Sequence, residues 1–332
     1  MKFDLIKLKK IAVVRTDRIG DMILTLPMCK ALKVNLPEAK ISLIARTYTK
    51  PVLENCPEID KVFFIDEYSK GIKEIFKLEK FDAVFFPRPR LNECLSAYFA
   101  RIPLRVGTAY RYYSFLFNHK VYDHRKTAEY HEAEYNTRLI ASVLEKPVET
   151  SLVKPYINPK ALEQVKNILK EKGMDFNQPF IIIHPGSGGS SRNWSAENFG
   201  KAANIISKEK NIKIIISGTI EEKTQCEKAF SFCPYALNLC GLFSLNQLIA
   251  LISQTKLLIA NSTGVLHIAA ALDIPVIGLY PNSPHLSAKR WGPYSKNSIK
   301  ISPPISVNRD EIDNMSLISV YEVVNSTTKL LE

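Results

Sequence analysis

The stretch Ile11-Ala12-Val13-Val14-Arg15-Thr16-Asp17-Arg18-Ile19-Gly20-Asp21-Met22-Ile23-Leu24-Thr25-Leu26-Pro27 decides how the rest of the chain is read. Four apolar residues bounded by Lys10 and Arg15 have the length and character of a strand buried on both faces. A polar turn, Thr16-Asp17-Arg18, follows. Ile19, Met22, Ile23 and Leu26 then recur at i, i+3, i+4 and i+7, the spacing of one helix face. This order puts Gly20 and Asp21 at a helix N-terminus beyond the carboxyl end of a strand, where open α/β sheets place their ligands. A carboxylate there has two meanings: it can stabilise the helix start through the macrodipole, or it can serve as a general base. With a single glycine the loop is neither G-x-G-x-x-G nor G-x-x-x-x-G-K-[ST], and spacing alone leaves both meanings open.

Outward from this element the alternation continues. Residues 41–45, 62–65, 83–86 and 104–107 read as further strands, and Met22–Val34, Ser69–Leu78 and Leu91–Ala100 carry helical patterns. Helices between apolar strands imply crossover connections and a parallel sheet. A helix near His131–Leu144 is followed by a proline-bearing connector through Pro147, Pro155 and Pro159, the natural domain boundary. The alternation then restarts, with strands expected at 180–183, 212–216, 236–239, 257–260 and 276–279. Leu317, Val320, Val323, Val324, Leu330 and Leu331 mark a final amphipathic helix. The expectation is an α/β protein with domains 1–155 and 156–315, and a helix over 316–332.

A chain of 332 residues, 46% hydrophobic and 23% charged, can bury two cores. Its net charge of +12 predicts an anionic partner. Residues 101–126 concentrate that charge, with six Lys or Arg against Asp123 and six aromatics interleaved. Such a segment can grip phosphates, or can pack its rings down while its charges reach solvent. No nucleic-acid-binding signature accompanies it, so nucleic acid is not the expected partner. Arg88, Arg90 and Arg111, with Arg18, are the candidate contacts to an anionic acceptor. The six cysteines include no C-x-x-C and read as reduced core thiols. No apolar run reaches the length of a membrane span, and the start, Met1 to Lys10, leaves no room for a signal-peptide core.

Three loops carry the chemistry of the second half. His184-Pro185-Gly186-Ser187-Gly188-Gly189-Ser190-Ser191-Arg192-Asn193-Trp194 follows its first strand. Glycines and hydroxyls there can form a nest of N–H donors around phosphate, and Arg192 supplies a fork suited to a diphosphate. Asn261-Ser262-Thr263-Gly264 opens a helix that carries His267, making a second candidate anion site. Ser217-Gly218-Thr219-Ile220-Glu221-Glu222 offers carboxylates to a ribose diol, although helix-start acids explain them equally well. A nucleotide-diphosphate edge in one α/β half and a lone carboxylate in the other describe a sugar-nucleotide transferase.

Arg15–Pro27, His184–Trp194, Asn261–Leu272 and Trp291-Gly292-Pro293 resemble the successive motifs of glycosyltransferase family 9, the lipopolysaccharide heptosyltransferases. The resemblance implies a GT-B fold of two Rossmann-like domains, with the C-terminal helix crossing back to the first. It implies inverting transfer from a nucleotide-activated heptose, ADP-heptose, to an anionic lipid-linked saccharide, with no metal and no other cofactor. Carried over by position, Asp21 matches the base, and Gly186, Ser187, Gly188 and Arg192 lie on the donor phosphates. Asn261, Ser262, Thr263, Gly264 and His267 match the second phosphate loop, Glu222 the ribose contact and Phe243 a shelf for the base. Some members carry Asp at the position of Ser262, which leaves the donor sugar open. A cytoplasmic protein, with contact at the cytoplasmic face of the inner membrane, is expected.

Overall fold

The computed structural model describes residues 8–305 and 311–332. The expected run from Met1 to Lys7 lies outside the described residues. The chain forms two compact units, Met1–Tyr156 and Ile157–Glu332.

The first unit holds β1 (Lys10–Val14), β2 (Lys40–Ala45), β3 (Lys61–Phe64), β4 (Ala83–Phe85), β5 (Leu104–Thr108) and β6 (His119–Val121). They pair in the order β3-β2-β1-β4-β5-β6, all parallel. Helices cover both faces of such a sheet, so its central strands need apolar residues at every position. β1 meets that demand: Ile11 to Val14 are fully buried, and Ile11 pairs with Ile41 on one side and Ala83 on the other. Phe63, Phe76, Phe81, Phe86 and Phe117 fill the layer on one face.

The second unit repeats the plan with β7 (Phe180–His184), β8 (Lys213–Ile216), β9 (Leu237–Asn238), β10 (Leu257–Asn261), β11 (Val276–Leu279) and β12 (Ser298–Ile301). Its order is β12-β11-β10-β7-β8-β9, again parallel. Both sheets therefore have the Rossmann order. Each reverses direction beside its own first strand, between β1 and β4 and between β7 and β10. Ligands bind outside the carboxyl ends at such a switch, and the loops after these four strands hold the residues singled out from the sequence.

Three features differ from the expectation. The helix expected over Met22–Val34 is two, Ile19–Ile23 and Leu26–Asn35. The break at Leu24-Thr25 is stabilised by the Thr25 hydroxyl donating to the Asp21 carbonyl at 2.8 Å, and Pro27 starts the new helix, where its missing N–H costs nothing. The short edge strands β6 and β12 had no expectation, and β9 is only two residues long. The final helix, Val320–Leu331, packs on the helix Ala196–Lys210 of the second unit, with Val323 and Val324 in that core. Burying each valine is worth about 1.5 kcal/mol or more. The Trp194 indole N–H donates to the Ile318 carbonyl at 3.0 Å and fixes the approach to this helix.

Candidate active site

In the first unit the loops after β1 and β4 meet around one buried cation. Arg15, 1% exposed, faces Asp17 through Nε at 2.6 Å, Asp21 through Nη2, and Glu132 at 3.8 Å. Asp17 reaches Arg88 at 2.6 Å with its other oxygen, and Glu132 is also held by Arg125. Three acids thus interlock with three arginines. Thr16 donates to Glu93 at 2.6 Å just behind them. Asn136, on the same helix as Glu132, donates to the Leu24 carbonyl at 2.8 Å, which places that helix against the break after Asp21.

Titration within this network is uneven. Burial works against the charge of Arg15, but Asp21, Asp17 and Glu132 outweigh it and raise its pKa, so it stays protonated. Burial would raise Asp17, yet Arg15 and Arg88 together hold it below the ordinary range. Asp21 moves the other way. Burial, with Asp17 and Glu132 nearby, raises its pKa against the pull of Arg15 and Arg88. The result is a carboxylate of enhanced proton affinity, locked in orientation, whose side chain is still 15% exposed. That combination suits a general base.

Of the expected acceptor contacts, Arg88 is engaged by Asp17 yet half exposed, while Arg18, Arg90 and Arg111 are exposed. In the 101–126 segment the rings divide. Tyr113 and Phe117 are buried, whereas Tyr110, Tyr112, Phe115 and Tyr122 face solvent.

In the second unit the loop from Pro185 to Trp194 is built to a fixed shape. Gly188 and Gly189 have φ of +53° and +68°, which other residues adopt only with strain. A Cβ at Gly186 would overlap the Glu222 carboxylate. Glu222 accepts from the N–H groups of Gly188 and Thr219, each at 2.9 Å, and lies 3.4 Å from His184 Nε2. Burial opposes its charge, but the His184 bond and these two N–H groups hold its pKa down at about 2. Both Glu222 oxygens are engaged internally, and the carboxylate, expected at the ribose, pins the glycine-rich loop.

Asn261, expected in the second phosphate loop, also has internal partners. It is fully buried, and its amide clamps both ends of the loop, accepting from Trp194 N–H and donating to the Pro185 carbonyl, each at 2.8 Å. Ser190 donates to the Ser262 carbonyl at 2.6 Å, so the loops after β7 and β10 form one surface. Ser187 Oγ and Ser191 Oγ are buried without a hydrogen-bond partner among the described residues. Thr263 holds the N-cap position of the helix Gly264–Ala271 without a side-chain bond to its first turn, so the N–H groups there can meet an anion. His267 is buried within that helix, one turn further in. Arg192 is 65% exposed at the loop's rim and lies 3.7 Å from Asp313. Phe243 is half-buried beyond β9, on a loop tied to the β8 loop by Gly241 N–H donating to the Gly218 carbonyl at 2.8 Å.

Sequence reasoning missed Arg15, Asp17, Glu132 and His184 as site residues. An arginine ending a buried strand, with acids two and six residues on, is a usable signal for the first two. Nothing local points to Glu132. Among the described residues no group of three or more His, Cys, Asp or Glu could hold a metal ion. All six cysteines are free, and no helix among the described residues is long and apolar enough to cross a membrane.

Residues 74–315 match the model of glycosyltransferase family 9 (heptosyltransferase). A candidate glycosyltransferase of Haemophilus influenzae is 29% identical over 94% of each chain. Lipooligosaccharide heptosyltransferase 2 of Haemophilus ducreyi is 26% identical over 88% of each chain. Among solved structures, the ADP-heptose lipopolysaccharide heptosyltransferase II of E. coli superposes with a TM-score of 0.79 at 20% identity, covering 97% of this chain and 98% of that one.

Proposed function

Since the chain belongs to glycosyltransferase family 9, we propose that it transfers heptose from ADP-heptose to a lipopolysaccharide inner-core acceptor, with Asp21 as general base. Its two Rossmann-ordered units give the GT-B fold, and its family makes it a glycosyltransferase. The observation that carries the finer reading is the contrast between the two switch points. One holds a desolvated carboxylate braced by Arg15, and the other an uncharged glycine- and serine-lined loop with an arginine at its rim.

Asp21 takes the proton from the acceptor hydroxyl as that oxygen attacks the anomeric carbon of the donor sugar. The bond from that carbon to the β-phosphate oxygen breaks, and ADP departs with the bonding pair. Attack opposite the leaving group inverts the centre. Arg192 and the N–H groups at the start of Gly264–Ala271 stabilise the charge that collects on the diphosphate. Gly186, Ser187, Gly188, Ser262 and Thr263 line the phosphates, and Phe243 supports the base. Glu222 and Asn261 hold the loop that does this. No metal takes part in the reading, because Arg192 supplies the positive charge. The acceptor in this reading is anionic and lipid-linked, and the enzyme works in the cytoplasm, at the cytoplasmic face of the inner membrane.

A thermal-shift panel of ADP-, UDP- and GDP-sugars tests the donor. A ligand at a hundred times its Kd stabilises by about 2.7 kcal/mol, about 5–10 °C for a unit of this size. The ADP-sugar should give that shift and the others much less. Equal shifts from all three would refute the donor assignment.

A further inference from the structure

The end of the first sheet opposite Asp21 carries a concavity of its own. A groove of about 710 Å³ lies between the helices Ile72–Glu79 and Leu91–Phe99. Asp82 and Pro103, the residues directly before β4 and β5, line it, which places it at the amino ends of those strands. Ligands of open α/β sheets gather at the carboxyl ends, so this groove is separate from the site described above.

Its floor is apolar. Phe76, Phe81 and Ile102 are buried there, and the two rings meet edge-on with centroids 6.1 Å apart. At the lip Phe99 is 73% exposed, a ring outside the core cluster of this face. Four exposed cations, Lys73, Lys77, Lys80 and Arg101, stand around it. None of the four forms an ion pair or a side-chain hydrogen bond among the described residues. The acids nearby are occupied. Asp82 accepts from the backbone N–H groups of Lys9 and Lys10 at 3.0 and 2.8 Å, and Glu79 is held by Lys61 at 2.7 Å. Glu74 accepts from the Ser69 hydroxyl and the Lys70 N–H.

Lys77, Lys80 and Arg101 sit at the C-terminal ends of the two helices, where the macrodipole favours a cation. Lys73 does not. It stands in the first turn of Ile72–Glu79, where the dipole works against it. It shares a helix side with Lys77, one turn on, and both line the groove. A concavity of this size suits a small molecule. A bare inorganic anion would make no use of the phenylalanine lining, and a neutral ring would leave four charges unanswered. A flat aromatic body bearing several anionic groups uses both.

We propose that the groove is a binding site for a small aromatic polyanion. Its ring lies against Phe76, Phe81 and Phe99, and its phosphate, sulfonate or carboxylate groups lie among Lys73, Lys77, Lys80 and Arg101. The site needs neither Asp21 nor a sugar donor, so it stands apart from the function proposed above.

The test uses pyranine, a trisulfonated hydroxypyrene, titrated with the full chain and followed by fluorescence polarisation. Binding should saturate at one site per chain and weaken with salt. Lys73→Gln combined with Lys77→Gln should weaken it by about tenfold or more, the worth of a charge-assisted hydrogen bond, with an unchanged unfolding midpoint. Phe99→Ser should weaken it by about threefold, the worth of an aromatic pair, and carries the test alone if the lysine variant unfolds. Arg192→Ala, in the other unit, should bind as wild type does. Inorganic sulfate at matched ionic strength should displace the probe poorly. Absence of saturable binding to wild type, or equal binding by both groove variants, would overturn the proposal. So would displacement by an equal concentration of sulfate, the mark of a plain anion site. Binding lost in Arg192→Ala and kept in the groove variants would overturn it too, by placing the probe on the glycine-rich loop.

Discussion

Replacing Asp21 with asparagine alters the charge of the Arg15 network by one and its shape hardly at all. Asp17, Asp21 and Glu132 oppose Arg15, Arg88 and Arg125, so the substitution leaves a balanced cluster with one cation in excess. The amide oxygen can still accept from Arg15. The structural loss is therefore at most that of a charge-assisted hydrogen bond, about 1.5–3 kcal/mol, or about 3–12 °C in Tm. The chemical loss is larger. Removing a general base lowers kcat by about 10²–10⁴, some 2.7–5.5 kcal/mol of barrier. At a temperature well below the lowered Tm, unfolding cannot account for such a fall. Because Asp21 must be ionised to work and its pKa is raised by burial and by Asp17 and Glu132, wild-type activity should rise with pH through a value above the ordinary 3.8. The variant's residual activity should lack that limb. The assay is kcat against pH for both proteins, with ADP affinity and Tm measured in parallel. A kcat within tenfold of wild type with normal ADP affinity would refute the argument. Asp21 would then be a helix-start residue worth about 0.3–1 kcal/mol.

Arg192→Ala should raise donor KM and lower kcat by about ten- to hundredfold in total, the worth of one charge-assisted bond; unchanged kinetics would remove Arg192 from the diphosphate. Transfer should survive EDTA within about twofold, and a tenfold loss restored by Mg²⁺ would contradict a reaction in which arginine carries the charge. Glu222, held at about 2 against an ordinary 4.5, contributes stability that is fully present above about pH 4.5 and lost as pH falls toward 2. The Tm difference between wild type and Glu222→Gln should accordingly shrink as pH is lowered over that window, and a constant difference would show that the carboxylate is not what pins the Gly186–Gly189 loop.

Much of the fold was present in local pattern. β1 and β7 are uninterrupted apolar runs because both faces of a parallel sheet are covered, and that requirement is visible in consecutive residues. The loops after β1, β7 and β10 were legible for the same reason: glycines, hydroxyls and a helix start act within a few residues of one another. The edge strands β6 and β12 were not. His119-Lys120 and Ser298, Lys300 are polar, and a strand paired on one side need not be apolar throughout. The final helix announced its amphipathic face but not its partner, since a stripe of valine and leucine fits any apolar surface.

Backbone propensity and hydrophobic period are local properties, so the central strands, the helices and the anion-suited loops can be read along the chain. What the polar residues in them do depends on partners that folding brings near. Glu132 stands 117 positions from Arg15, and Asn261 stands 76 from Pro185. A buried charge or amide must find its complement wherever the fold brings one within hydrogen-bond reach. Asp21 became a desolvated carboxylate through burial and through Glu132, and Glu222 a structural one through His184 and Gly188, partners that lie far along the chain.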